Sequence, residues 1–119
     1  MEQKIPRIDE IDIKRIVKRD FSQEEREVME SILKGYKSDS EAGKNRMYAA
    51  ILKLSNGNLG TLKKLVEKAN FDYRDIIALA EYPNYSKYAF NDRLSKQEKR
   101  KLIEEDWLQY SRWFDHSNE

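Results

Sequence analysis

The side chains of this chain that could do chemistry, judged by type and spacing, fall into three groups. The largest is cationic: Lys87, Arg93, Lys96, Lys99, Arg100 and Lys101 face only Asp92 and Glu98, and Tyr85, Tyr88 and Phe90 stand just before the run. Basic residues interleaved with aromatics can hold single-stranded nucleic acid by phosphate pairing and base stacking. The same types also describe rings folded onto a core ahead of a solvated helical turn, and Glu104, Glu105 and Asp106 cut the basic field short. The second group is acidic. Asp72 with Asp75, and Glu104 with Glu105, have the pairing that a metal or a proton shuttle needs, but the first pair stands where a helix wants a cap and the second sits on a charged face. The third is a single imidazole, His116, beyond the last aromatic anchor, where nothing would hold it within reach of a nucleophile.

Cysteine is absent, which excludes disulfides, thiolate catalysis and Cys-ligated metals. No phosphate-binding glycine loop, dinucleotide glycine triplet or HExxH pair occurs. Without a convergent acid, base and electrophile, the expectation is a protein that is not an enzyme, with no catalytic residue, metal or cofactor.

The elements that would position these groups are helical. In a chain of 119 residues, 39% hydrophobic and 38% charged side chains with only four Gly and two Pro suit one domain of amphipathic helices, and the net charge of +1 argues against disorder. From Asn58 to Pro83 the pattern is that of a helix-turn-helix: Leu62, Leu65, Val66 and Ala69 share a face, Asn70-Phe71-Asp72 is a short turn, and Ile76 and Leu79 would pack the second helix back on the first. A helix that reads DNA is basic on its outer side, whereas this one sets Asp72, Asp75 and Glu81 against Arg74 alone. Its middle, Ile76 to Ala80, is apolar all round, which predicts a central helix surrounded by protein.

Around that hairpin, Ser22-Gln23-Glu24-Glu25 forms a capping box opening a helix with the stripe Val28, Met29, Ile32, Leu33 and Tyr36, expected to stop near Lys37. Ser38-Asp39-Ser40-Glu41 repeats the signal before Met47, Tyr48, Ile51, Leu52 and Leu54, and Gly57 is the expected left-handed stop. Tyr82 to Asn91 reads as an aromatic loop, and Ser95 to Glu98 as the box opening the last helix, where Leu102, Ile103, Trp107, Tyr110, Trp113 and Phe114 share an arc that Leu108 leaves. The fold class is therefore all-α: a compact bundle of about five helices near 22–37, 39–56, 59–69, 73–82 and 96–114, with the hairpin 59–69 and 73–82 as a helix-turn-helix-like scaffold. Residues 1–21 form an arm or short helix (9–18), 22–114 a single domain, and 115–119 a frayed tail. The amino terminus has charges throughout and no run reaches membrane-spanning length, so the expectation is a cytoplasmic protein with no membrane contact.

From Asn45 to Pro83 the chain reads NRMYAAILKLSNGNLGTLKKLVEKANFDYRDIIALAEYP, with a DYRD-x-x-A-x-A-E-Y-P signature closing a helix. This stretch resembles a small all-helical bacterial family of uncharacterised function. The resemblance implies a bacterial source and brings no activity, substrate or site residue.

By elimination, the expected function is a non-catalytic helical module that binds a protein partner or a second copy of itself. The loop rings of Tyr85, Tyr88 and Phe90 are its contact residues, with Ile103, Trp107 and Tyr110 closing the bundle. The alternative is a nucleic-acid-binding regulator of helix-turn-helix type, with Arg74, Lys96, Lys99, Arg100 and Lys101 on phosphate.

Overall fold

A computed structural model of the chain describes residues 5–38, 41–88 and 93–116. The class is all-α: α1 (Glu10–Asp20), α2 (Gln23–Leu33), α3 (Glu41–Ser55), α4 (Leu59–Phe71), α5 (Tyr73–Glu81), α6 (Pro83–Tyr88) and α7 (Lys96–Asp115). Seven helices among the described residues replace the expected five, because α1 is a full helix and a further one forms inside the expected aromatic loop. No helix among the described residues is long and apolar enough to cross a membrane.

Local chemistry starts most of them. Asp9 opens α1 by a reciprocal box with Asp12, whose amide donates to Asp9 Oδ1 at 2.9 Å while the Asp9 amide donates to Asp12 Oδ2 at 3.1 Å. Glu25 accepts from the Ser22 hydroxyl at 3.0 Å and from its amide at 3.4 Å, and Ser95 Oγ accepts from the Glu98 amide at 3.1 Å. Asn58 caps α4 through the Thr61 amide, and Asp72 caps α5 through the Arg74 amide. The box expected at Ser38 to Glu41 lies partly outside the described residues. Gly57 ends α3 with φ +75°, and a Cβ there would come within 2.9 Å of the Asp20 carbonyl oxygen, so this position needs glycine twice over.

The centre of the bundle is α3, not α5. Met47, Ala49, Ala50, Ile51, Leu52 and Ser55 are all buried, and the two alanines let α1, α4 and α5 approach closely. On α5 the buried arc is Ile76, Ile77, Ala80 and Glu81, whereas Leu79 lies about half exposed on the opposite side, so the expectation of a helix surrounded by protein fails on that face. Val28 likewise leaves the expected α2 stripe and faces water, while Met29, Leu33 and Tyr36 carry it. From α1, Ile13, Ile16, Val17 and Phe21 enter the same core.

Tertiary partners set three of the helix ends. α2 stops at Leu33 rather than near Lys37, because the Asn70 side-chain amide takes over the backbone beyond it: Nδ2 donates to the Gly35 carbonyl at 2.9 Å and Oδ1 accepts from the Lys37 amide at 3.0 Å. Pro83 does end α5, as proline disfavours helix before it, but it then occupies the first position of α6, where its missing N–H costs nothing. The cap of α6 comes from α7: Asp106 accepts from the amides of Asn84 at 3.0 Å and Tyr85 at 2.8 Å. At the other end of α7, the Arg19 guanidinium donates to the carbonyls of Trp113 at 2.6 Å and His116 at 2.8 Å while chelating Asp20.

Candidate protein-contact groove

α1 and α2 are joined by only Phe21 and Ser22, yet they seat on different neighbours, α1 on α3 and α2 on α4. They therefore splay, and the space between them is an open groove of about 460 Å³. Each helix presents the same register to it. From α1 come Glu10, Ile13, Lys14, Val17 and Lys18; at the equivalent spacing come Arg26, Met29, Glu30 and Leu33 of α2 and Lys34, its C-cap. These are i, i+3, i+4, i+7 and i+8, the spacing of a helix face made to meet another helix. Lys44, Asn45 and Tyr48 of α3 complete the lining. The apolar floor, Ile13, Val17, Met29 and Leu33, belongs to the core and is at most 9% exposed at any one residue, and it is backed by Tyr48, whose ring meets that of Tyr36 edge-on at 6.5 Å. The rim is charged: five cations against two acids.

The sequence-derived contact residues lie elsewhere. Tyr85 is half-buried, with its ring against Tyr82 at 6.4 Å and its amide on Asp106, so it helps seat α6. Tyr88 is exposed with the Lys87 ammonium over its ring at 5.9 Å, and Phe90 lies outside the described residues. Trp107 is half-buried, lining two recesses with Pro6 and Tyr110. Phe71 is 93% exposed at the carboxyl end of α4, close in sequence to exposed Tyr73; neither was singled out for contact.

The cations of the alternative reading divide between two places. Arg74 stands at the amino end of α5 and pairs with the cap Asp72 at 3.3 Å, whereas α7 meets α5 at its carboxyl end, where Gln109 donates to the Ala80 carbonyl. Lys96, Arg100 and Lys101 are exposed on the first turns of α7, with Lys99 half-buried beside them. Ile77, which a DNA-reading helix would have to present outward, is in the core.

Two acids that the sequence pattern places among surface charges are buried. Glu81 is held by Arg46 through two bonds, Nε to Oε2 at 2.7 Å and Nη2 to Oε1 at 2.6 Å. The pairing, chiefly through its hydrogen bond, holds the Arg46 guanidinium above its ordinary pKa. Asp106, counted with Glu104 and Glu105, is 1% exposed and lies on the same arc as Ile103 and Tyr110. That i, i+3, i+7 placement of an acid among apolar residues was the available signal. Burial lowers the Lys53 pKa, an effect opposed by Asp106. The Tyr110 hydroxyl is buried with no hydrogen-bond partner among the described residues, and burial, helped by the Glu81 charge and opposed by Arg46, pushes its pKa far above the usual tyrosine range.

No protein-family model, curated protein or solved structure matches this chain.

Proposed function

We propose that this chain is a non-catalytic helical module that binds a helix of a partner protein in the groove between α1 and α2. One observation carries the reading: two adjacent helices present the same five-position face to an open, apolar-floored space that no element among the described residues fills. An amphipathic helix laid along that seam would rest its stripe on the small exposed remainder of Ile13, Val17 and Leu33 and on the stems of the lysines beside them, the helix-in-groove mode of recognition. The proposal replaces Tyr85 as an anchor, since its ring and amide are both committed within the fold.

The test is amide chemical-shift mapping with amphipathic helical peptides of differing flank charge. Perturbation gathered on α1, α2 and around Tyr48 supports the reading. Amides there that stay unmoved by every peptide would remove it, and shifts confined to Tyr88 and its neighbours would return contact to α6.

A further inference from the structure

We infer that the partner helix is acidic along both flanks of its apolar stripe, with carboxylates meeting Lys14 and Lys18 on one wall of the groove and Lys34 on the other. The inference rests on the groove reading and adds a sign to it. In a chain of net charge +1, the groove gathers five cations and two acids. Lys14, Lys18 and Lys34 are exposed and make no ion pair or side-chain hydrogen bond among the described residues. The four-residue spacings of Glu10 to Lys14 and Glu30 to Lys34 would allow pairing, yet neither pair closes to within 4 Å. Arg26 is spent differently, its guanidinium on the carbonyls of Phe21 and Lys18 at 3.3 Å, which ties α2 to the end of α1.

These ammonium groups flank an apolar floor, so whatever covers the floor also takes water from them. A neutral or basic helix would leave them with less solvent and no partner, whereas carboxylates on the helix flanks would restore one. The groove is open along its length, which suits a helix lying in it better than a small anionic amphiphile, since small-molecule sites enclose most of their ligand.

The experiment compares three synthetic helical peptides that share one leucine stripe and differ only in flanking residues, Glu, Gln or Lys, titrated into the full chain at low and high salt. The Glu peptide should bind about tenfold tighter than the Gln peptide, the worth of a few exposed ion pairs, with the Lys peptide weakest, and added salt should narrow the gap. In the triple variant Lys14→Glu, Lys18→Glu, Lys34→Glu the order should reverse. All three side chains are exposed and unpaired among the described residues, so the fold should survive with a melt lowered by the new carboxylates beside Glu10 and Glu30, and once circular dichroism shows the variant folded the reversal can be read as binding.

Equal binding of all three peptides would overturn the acidic inference and leave the groove reading standing. Loss of binding by all three would take both down. Tighter occupation of the same groove by laurate than by the Glu peptide would overturn the inference in favour of an anionic amphiphile. A parent that sediments as a dimer through these groove residues would assign the groove to a second copy.

Discussion

Arg46 on α3 grips Glu81 on α5 with both sides of its guanidinium, and the two partners differ in their access to water: the glutamate side chain is 3% exposed and the arginine 29%. The pair joins the central helix to the end of the hairpin, just before the chain turns at Tyr82 into α6.

Removing either partner should therefore cost different amounts. Arg46→Ala strands a buried carboxylate and should cost about 3–5 kcal/mol. Glu81→Ala leaves a guanidinium that can still reach solvent and should cost roughly 1–2 kcal/mol. The double variant Arg46→Met, Glu81→Met should lie near the parent or above it in stability. Urea midpoints give the answer, and an Arg46→Ala cost no larger than that of Glu81→Ala would show that the asymmetry in exposure has no energetic weight.

Asp106 is the second remote anchor. Asp106→Ala unpairs the amides of Asn84 and Tyr85, and should cost roughly 2–5 kcal/mol if both remain buried. Asp106→Asn, which keeps one acceptor oxygen, should fall between that variant and the parent. Hydrogen exchange should show protection lost first at Asn84 and Tyr85. Retained protection there in Asp106→Ala would mean α6 holds itself.

Alkaline pH should weaken the fold through Tyr110. Its folded pKa is raised above the ordinary tyrosine value near 10, so the folded state keeps a proton that the unfolded chain releases. The contribution is full below about pH 10 and is lost as the pH climbs from there toward the folded value. Lys53, lowered by burial, contributes the opposite slope up to the ordinary lysine value, and Tyr82, raised by burial, adds to the fall. Comparing Tyr110→Phe with the parent at matched pH isolates the phenol. The variant should be at least as stable at pH 8, because the hydroxyl it removes is buried without a partner among the described residues, and should lose less between pH 9 and 11. Parallel pH curves would count against the assignment.

Ile76 and Leu79 test which side of α5 is inside. Ile76→Ala should cost roughly 2–5 kcal/mol, whereas Leu79→Ala should stay within about 0.5 kcal/mol, since one side chain is fully buried and the other about half exposed. Thermal melts suffice, and similar losses for both would restore a helix covered on every side.

What was legible in the sequence is what local chemistry decides. The Ser95, Asn58 and Asp72 caps, the Gly57 stop and the stripe of Leu62, Val66 and Ala69 involve residues within a turn or two of each other, and they set helices close to where they stand. Asp9 and Asp12 also form a local box, missed because two aspartates replace the commoner Ser and Glu. The rest depends on partners far along the chain. Asp106 caps a helix 21 and 22 residues away, Arg46 pairs across 35, and Asn70 ends α2 from 33 and 35 residues off. Their residue types looked like ordinary surface charge or turn. The groove was illegible for the same reason: the faces of α1 and α2 can be traced in the sequence, but their failure to close on each other depends on α3 and α4 holding them apart.

The Arg19 clamp has a mechanical meaning. It fastens the last turn of α7 to the end of α1, with the Arg15 and Arg19 guanidinium groups also lying over the rings of Phe114 and Trp113 at 4.9 and 5.2 Å. Residues 5–8 line the same recess as Trp107 to Asp115, so both described ends of the chain lie on α7. A tether pulling these ends apart would load a few polar contacts on α7 before any interlocked core helix. In an optical trap the molecule should open like a zipper at low force, with Arg19→Ala lowering the first rip and leaving the later, core-governed ones unchanged.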